Sequence, residues 1–409
     1  MWHQIGKDNS SVSIKQAVFC IYITLMAVQI VPIEGFSVSP VKVVAMSFAP
    51  LLSLFWGYFN NITNSIFYGI INLLIMIVCA LLASSLVAWD RIGYRAMYIL
   101  MFICVNGIIY DGSITLPFLK RLLVILTISY GIIFIIQHIL FLSGIRQVPF
   151  LNYYASVTMA GVFKPNGLAI EPSHAARILT VMYWGILKLT EIAQGQKLTF
   201  NSAIKELPYC SILFFLSMIA MGSATAMIGI LLIFLYFFNR NIVFFLLGLI
   251  IFILIMNVEI DNSQVHRIQN VLNSFFSDDV AETLKKKEGS GAVRIMPFIN
   301  TLRMDFFSLD TWIGQGSIVN HNSNFIDRVF SESRYIGDIT SFGLLSYIAS
   351  LVFVFKCCIR KLCSMETLFF LFLATFSVGS VYYTWLMFMI FAAIKYFENQ
   401  ALERMSSKQ

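Results

Sequence analysis

The chain has 409 residues, of which 58% are hydrophobic, 15% aromatic and only 12% charged. Soluble globular proteins are about 45–50% apolar and about 25% charged. This composition excludes a soluble enzyme, a disordered chain and a nucleic-acid-binding domain. The formal net charge of +7 does not indicate nucleic acid as a partner, because basic residues in such a protein mainly set its orientation in the lipid bilayer. We therefore expect an all-α polytopic membrane protein.

Apolar segments recur along the whole chain, and a helix that crosses a bilayer needs about 20 mostly apolar residues. We predict twelve crossings, with ten as the alternative, because two apolar stretches are long for one helix and short for two. We divide them at Gly222–Thr225 and at Gly379-Ser380, where small residues permit a tight turn. The predicted crossings are Ala17–Ile33, Val41–Trp56, Ile66–Ala88, Met97–Tyr110, Leu122–Leu142, Ala175–Leu187, Pro208–Met221, Ser223–Phe238, Ile242–Val258, Ser341–Phe355, Thr367–Gly379 and Val381–Tyr396.

The distribution of Lys and Arg predicts that both termini are cytoplasmic. With the N-terminus inside, the inner segments hold fourteen of these residues and the short outer segments hold six. Two hydrophilic stretches then face outward, at 143–174 and 259–340. The predicted organisation is a bundle with nine crossings at 1–258, a periplasmic loop at 259–340, and C-terminal crossings with a cytoplasmic tail at 341–409.

The long outer stretch is predicted to be partly helical, because apolar residues recur at helical spacing between Val265 and Phe276. A second apolar stripe consists of Ile295, Ile299, Leu302 and Phe306. Amphipathic helices of this kind would lie at the outer membrane–water boundary, over the mouth of the bundle. We expect the second stripe to pack on the rim of that mouth.

Three polar side chains of the long stretch are candidates for chemistry. Arg294 and Arg303 flank the second stripe, and His321 follows a tight loop predicted at 314–316. The alternative for the two Arg residues is that they anchor an interfacial helix to anionic headgroups. The alternative for His321 is that it caps the loop at 322–324.

The shorter outer stretch ends in Glu171-Pro172-Ser173-His174 and leads into a predicted crossing. Pro is favoured at the first helical position, so Glu171 is expected at the N-cap and His174 in the first turn. Arg177, three residues beyond His174, lies on a neighbouring position of the same face. A charged residue inside a crossing usually faces a cavity and has a role. The alternatives are that Arg177 reaches the interface, or pairs with a carboxylate such as Glu171.

Several short motifs occur in order between residues 160 and 355. They are Gly161-Val162-Phe163, Glu171-Pro172-Ser173-His174-x-Ala176, Gly289-Ser290-Gly291-Ala292-Val293-Arg294, Trp312-Ile313-Gly314-Gln315-Gly316, and His321-Asn322 before the apolar Gly343-Leu344-Leu345. Together with the predicted crossings and the single long outer loop, this pattern resembles the O-antigen and capsular polysaccharide polymerases (the Wzy family) and the related O-antigen ligases (WaaL). These polymerases often carry an Arg shortly before the Gly-x-Phe motif, whereas this chain has Thr158-Met159-Ala160 there and Lys164 just after it.

The resemblance implies a metal-independent glycosyltransferase that acts at the periplasmic face of a bacterial inner membrane and needs no cofactor. The donor would be a glycan on undecaprenyl diphosphate, and the acceptor would be a hydroxyl of another lipid-linked repeat unit. A chain-length regulator of the same pathway is a further candidate partner. The alternatives are an O-antigen ligase-type transferase and a lipid-linked oligosaccharide transporter or flippase.

The residue types are compatible with such a transfer. A diphosphate leaving group needs cations, ideally Arg, whose planar fork binds two phosphate oxygens, and Arg177 and Arg294 are the candidates for catalysis. An acceptor hydroxyl needs a general base, for which His321 and Glu171 are the candidates. The residues expected to bind the lipid diphosphate or the glycan are Lys164, His174 and Arg303.

Overall fold

The computed structural model describes residues 13–29, 39–83, 89–145, 147–148, 153–154, 163–238, 297–316, 335–373 and 381–406. Most of these residues are helical. Two predicted site residues, Arg294 and His321, lie outside the described residues. The predicted crossing Ile242–Val258 and the apolar stripe at 265–276 also lie outside them.

The helices are numbered here in chain order. They are α1 (Ile14–Ala27), α2 (Pro40–Phe55), α3 (Asn64–Leu82), α4 (Trp89–Tyr110), α5 (Leu116–Leu142), α6 (Pro172–Gln194), α7 (Phe200–Glu206), α8 (Pro208–Met221), α9 (Ala224–Phe238), α10 (Leu309–Ile313), α11 (Ile339–Cys358), α12 (Met365–Leu373) and α13 (Tyr382–Ser406). A short helical segment at residues 297–302 precedes α10. Two short strands, β1 (Gln147–Val148) and β2 (Tyr153–Tyr154), pair antiparallel.

Four helices are long and apolar enough to cross a membrane, namely α3, residues Arg91–Tyr110 of α4, α5 and α11. The pair α7 and α8, bent by 111°, would make a fifth crossing if it forms one span. Shorter apolar helices lie at Ile14–Ala27, Pro40–Phe55 and Thr225–Phe237. The described part of the chain is therefore a helical protein with four to five candidate membrane spans.

Helices α6 and α13 pack against each other at the centre of the bundle. Helices α5, α8 and α9 surround α6, while α1, α4 and α11 surround α13. Trp184 of α6 is buried with its ring centroid 5.0 Å from that of Phe391, and Trp385 of α13 stacks on Tyr98 at 5.6 Å. Both helices are thus buried on nearly all sides, as expected for helices surrounded by other helices.

The break predicted at 222–225 is present. Helix α8 ends at Met221, Gly222 adopts a left-handed conformation with φ +50°, and α9 begins at Ala224 and packs back against α8. In the second apolar stretch the described residues form α12 up to Leu373 and α13 from Tyr382, and the predicted break at Gly379-Ser380 lies outside the described residues. Small residues therefore interrupt the first stretch at the predicted position.

Two groups of polar side chains mark the two ends of the bundle. At one end, Lys15 forms an ion pair at 2.5 Å with Asp111, the residue that follows α4. At the same end, Lys188 of α6 forms an ion pair at 2.9 Å with Glu398 of α13. We call this the Lys188 end; α4 and α13 both reach it. The last turn of α1 and the first turns of α2, α6 and α13 lie at the opposite end, which we call the Arg177 end.

The prediction that the stripe from Ile295 to Phe306 packs on the bundle was wrong for Leu302 and Phe306, whereas Ile299 is half-buried. The helical segment ends at residue 302, and Leu302 and Phe306 are 67% and 50% exposed, whereas Asn300 is buried. The carboxylate of Asp305 accepts a hydrogen bond from the backbone N–H two residues later at 2.9 Å, which favours a turn instead of a further helical turn. Helical spacing therefore does not extend to Phe306.

Helix α10 ends before residues 314–316, as the prediction of a loop there requires, but these residues form no tight turn. Gly314 has φ +85°, and a Cβ atom there would lie 2.6 Å from the backbone nitrogen of Gly343, which itself interrupts α11 with φ +76°. The Gln315 N–H donates to the Thr340 carbonyl at 2.9 Å. Because two glycines allow the backbones to touch, α10 docks directly on the break in α11.

Candidate functional site

Residues 163–171, which lead into α6, form an ordered loop against α5. The side-chain amide of Gln137 donates to the Gly167 carbonyl at 3.0 Å and accepts from the Gly167 N–H at 2.9 Å. The Asn166 amide accepts from the same Gln137 nitrogen at 3.0 Å and donates to the Ala169 carbonyl at 2.9 Å. Since these groups are buried and paired, they fix the start of α6.

Glu171 is the N-cap residue of α6 and Pro172 is its first residue, as predicted. The Glu171 side chain makes no capping hydrogen bond to the helix, and its carboxylate accepts from the Ser173 hydroxyl at 3.2 Å. Among the described residues it forms no ion pair with Arg177. The alternative that Glu171 is a cap paired with Arg177 is therefore wrong, and its exposed carboxylate is accessible from outside the bundle.

The first two turns of α6 and the first turn of α13 place two basic side chains against two tyrosines. Nδ1 of His174 lies 3.4 Å from the Tyr382 hydroxyl, and the His174 ring centroid lies 4.7 Å from that of Tyr383. Arg177 donates a hydrogen bond to the Tyr383 hydroxyl, and its guanidinium carbon lies 5.0 Å from the ring centroid. His174 and Arg177 therefore share one helix face, as their spacing predicted.

Lys42, in the first turn of α2, joins this group from the other side. Its side chain is only 1% exposed, and its Nζ atom lies 4.1 Å from the centroid of the Tyr382 ring. The same ammonium group donates a hydrogen bond to the side-chain oxygen of Gln29. Two cations thus flank a pair of consecutive tyrosines. We call Lys42, His174, Arg177, Tyr382 and Tyr383 the Lys42–Arg177 cluster.

The electrostatics of the Lys42–Arg177 cluster favour an anion. Within the part of the chain that the structure describes, neither Lys42 nor Arg177 forms an ion pair, and the buried Nε atom of Arg177 has no hydrogen-bond partner there. A buried cation without a counter-charge is costly. Helices α6 and α13 also begin at this end, and helix N-termini favour negative charge. The cluster is therefore suited to bind phosphate or carboxylate oxygens.

Comparison of the chain with protein-family models, with curated proteins and with solved structures found no match. Among the described residues, no group of three or more His, Cys, Asp or Glu side chains is arranged to hold a metal ion. The chemistry of the site therefore has to be inferred from the cluster itself.

Of the other predicted site residues, the structure describes Lys164 and Arg303. Lys164 is half-buried in the loop that precedes α6. Arg303 is exposed in the turn after the helical segment at 297–302, and among the described residues no contact joins its side chain to the cluster. Arg294 and His321 lie outside the described residues. The structure thus brings together His174 and Arg177, with Glu171 at the N-cap of the same helix.

Sequence reasoning missed three members of the cluster, Lys42, Tyr382 and Tyr383. The sequence contains a signal for Lys42, because a Lys near the start of an apolar helix, like Arg177, usually faces a cavity and has a role. The two tyrosines carried no such signal. The chain has 17 Tyr and 38 Phe, so an aromatic pair at a helix start does not stand out from the composition of the bundle.

Proposed function

We propose that this chain polymerises undecaprenyl-diphosphate-linked oligosaccharide repeat units into O-antigen or capsular polysaccharide at the periplasmic face of the bacterial inner membrane. The observation that carries the proposal is the pair of cations, Lys42 and Arg177, held without carboxylate partners among the described residues. They lie at one end of an apolar helical bundle. A lipid-linked diphosphate has an apolar tail and an anionic head, which match the bundle and the cluster respectively.

In the proposed reaction, the lipid diphosphate is the leaving group. The acceptor hydroxyl attacks the anomeric carbon of the donor glycan, the bond from that carbon to the diphosphate oxygen breaks, and the electron pair stays on that oxygen. Arg177 and Lys42 stabilise the negative charge that develops there, and the Arg177 guanidinium can bind two oxygens at once. The hydroxyl proton passes to a general base, for which His321 and Glu171 remain the candidates.

The proposed topology has twelve crossings, with both termini in the cytoplasm and the Arg177 end in the periplasm. The described helices support it by their directions. Helix α1 runs toward the Arg177 end, whereas α4, α6 and α13 run away from it. The predicted crossings require these directions, because the first crossing runs outward and the fourth, sixth and twelfth run inward. The charge distribution supports the same orientation, because fourteen Lys and Arg residues fall on the inner segments against six on the short outer segments.

A transferase fits the position of the cluster better than a transporter does. Transporters usually place their polar binding residues near the midplane of two similar halves. Here His174 and Tyr382 lie in the first turns of α6 and α13, at the end of the bundle. An O-antigen ligase-type transferase would use the same kind of donor and differ only in its acceptor.

The experiment that tests the proposal is deletion of the gene in its native bacterium, followed by electrophoresis of the surface glycan. A single repeat unit on the core, restored to a ladder by the wild-type gene, is the expected result for a polymerase. A bare core would instead indicate a ligase. An unchanged ladder would contradict both assignments.

A further inference from the structure

Large apolar side chains are exposed on the short stretch between residues 298 and 312. Phe307 is fully exposed, at 100%, and it is preceded and followed by other exposed apolar residues. A concentration of exposed apolar surface usually marks contact with another molecule or with a membrane. We call this surface the aromatic shelf; it consists of Phe298, Leu302, Phe306, Phe307, Leu309 and Trp312.

The backbone beneath the aromatic shelf is held by hydrogen bonds. The indole N–H of Trp312 donates to the Phe306 carbonyl at 2.8 Å, which joins α10 to the turn before it. The Ile336 N–H donates to the Thr301 hydroxyl at 3.1 Å, which joins the helical segment at 297–302 to the start of α11. The shelf therefore projects from a fixed base, and its exposure does not result from a frayed chain end.

The aromatic shelf continues the lipid-facing surface of two candidate spans. Helix α10 packs against α3 and α11, both of which are apolar enough to cross a membrane. In this region Phe342 of α11 packs with Ala80 of α3, while Leu82 and Leu345 on the same helices are exposed. Exposed apolar side chains on a spanning helix face lipid, so the neighbouring shelf meets the same lipid at the level where the spans end.

The composition of the stretch fits the membrane–water interface instead of the apolar interior. Asp305 and Asp310 alternate with the shelf residues, and carboxylates do not enter the hydrocarbon region readily. The indole N–H of Trp312 is hydrogen-bonded to a backbone carbonyl, and part of the ring is exposed. Trp is enriched where chains meet the headgroup region, and amphipathic segments bury their apolar face at that boundary.

Near the end of α11, the Lys356 carbonyl accepts a hydrogen bond from Lys395 of α13 at 2.6 Å. Helix α11 therefore ends at the Lys188 end, and its start and the neighbouring shelf lie at the Arg177 end. We propose that the aromatic shelf inserts into the boundary between headgroups and acyl chains of the lipid leaflet at that end. It thereby anchors the outer end of α11, to which it is joined at Gly314 and Gly343. The proposal depends on membrane insertion of α3 and α11 and not on the reaction proposed above. A loss of glycan polymerisation would leave it intact, and a shelf located in water would leave the proposed reaction intact.

The test is the depth of a nitroxide placed on the shelf. Phe307→Cys is made in the Cys363→Ser protein, because Cys363 is exposed, and the full chain is labelled and placed in phosphatidylcholine nanodiscs. Power-saturation electron paramagnetic resonance then compares collision with oxygen, which is enriched in lipid, and with a water-soluble nickel complex. The Cys363→Ser protein without a new cysteine gives the background. Arg303→Cys, an exposed polar position in the same stretch, is the matched control.

We expect oxygen to relax the label at residue 307 more than the nickel complex does, and the reverse order at residue 303. Nickel accessibility at residue 307 equal to that at residue 303 would place the shelf in water and overturn the proposal. Low accessibility to both reagents would mean that protein covers the shelf, which also overturns it. If Phe307→Cys does not yield a monodisperse protein, Leu309→Cys gives the same readout from another exposed position.

Discussion

Arg177 and Tyr383 are joined twice, by a hydrogen bond from the guanidinium to the phenol hydroxyl and by contact of the guanidinium with the ring face at 5.0 Å. Neither interaction neutralises the positive charge. A carboxylate in the place of Tyr383 would compete with phosphate oxygens, whereas a phenol holds the side chain in position and leaves its charge for a ligand. The same ring contacts His174 at 4.7 Å, so Tyr383 supports both basic side chains.

Arg177→Ala should abolish polymerisation while the protein still inserts. Removing a group that stabilises developing negative charge typically costs about 10²–10³-fold in rate. Arg177→Lys should restore only part of the activity, because an ammonium group keeps the charge but loses the planar fork. The measurement is the glycan ladder together with the amount of protein in the membrane. Arg91→Ala, at an exposed position of α4, is the control and should keep the ladder. Full-length ladders from Arg177→Ala would refute the role.

Lys42→Met should also shorten or abolish the ladder. Met preserves an unbranched apolar side chain in a site that is 1% exposed but removes the second cation, so the diphosphate would lose part of its binding. Lys361→Met, at an exposed position near the Lys188 end, is the control for loss of one Lys and should leave the ladder unchanged. Normal protein abundance with a normal ladder in Lys42→Met would mean that Lys42 only packs against Tyr382.

Local signals in the sequence predicted the parts of the fold that depend on a few neighbouring residues. Pro172 fixes the start of α6, because its ring favours the first helical position. Gly222 ends α8 in a left-handed conformation that other residues adopt at a cost. Gly314, which follows the last residue of α10, has a positive φ that depends on the same freedom of glycine. Each of these features is encoded within a few residues of where it appears.

The Lys42–Arg177 cluster could not be predicted as a whole, because its contacts join distant parts of the chain. Lys42 meets Tyr382 across 340 positions of sequence, and Arg177 meets Tyr383 across 206. Helix periodicity places His174 beside Arg177 but contains no information about which helix faces them. The packing of α13 against α6 and α1 decides that, and a single sequence gives no direct signal for such pairing.

The orientation of the chain can be tested with enzyme fusions. Alkaline phosphatase is active only outside the cytoplasm, so fusion after Asn300 should be active and fusion after Lys408 inactive. The basis is the distribution of Lys and Arg over the predicted segments. The reverse pattern would place the Arg177 end in the cytoplasm and would contradict the proposed reaction, because its lipid-linked repeat units are polymerised on the outer face.

The Lys188 end provides a prediction about stability and pH. Asp111 accepts hydrogen bonds from Lys15 at 2.5 Å, from Tyr58 at 2.7 Å and from the Ser113 N–H at 2.9 Å. Burial alone would raise the pKa of the Asp111 carboxyl, but these hydrogen bonds outweigh it and lower the pKa below its ordinary value. The carboxylate therefore contributes stability above its unfolded pKa of about 3.9, and this contribution is lost as the pH falls through the lower folded pKa.

Asp111→Asn should accordingly lower the Tm at neutral pH and weaken the decline of the Tm in acid below about pH 4. The Tm is measured in detergent over a series of pH values, beside the wild-type protein. Lys15→Met removes one of the three donors and should lower the Tm at neutral pH by a smaller amount, because two donors remain. An Asp111→Asn protein with the wild-type Tm at neutral pH would contradict this account of the contacts at the Lys188 end.

Two residues, Glu171 and His321, are candidates for the general base, and substitutions can distinguish between them. Glu171 is exposed at the N-cap of α6, six residues before Arg177, whereas His321 is predicted to reach the same mouth from the long outer loop. Loss of a general base typically costs about 10²–10⁴-fold in rate. If His321 is the base, His321→Ala should lose chain length at normal abundance, and wild-type activity should fall as the pH drops below neutrality, because only the neutral imidazole accepts a proton.

Glycan polymerisation and membrane abundance are therefore measured together for His321→Ala, Glu171→Gln and Arg294→Ala, with His266→Ala as a control in the same loop. We expect His321→Ala and Arg294→Ala to lose chain length, and His266→Ala to keep it. Normal polymerisation by His321→Ala would exclude His321, and a loss in Glu171→Gln alone would then assign the proton to the carboxylate at the start of α6. A collapse in abundance would instead indicate a structural role, since removing a base leaves packing unchanged and should affect only the rate.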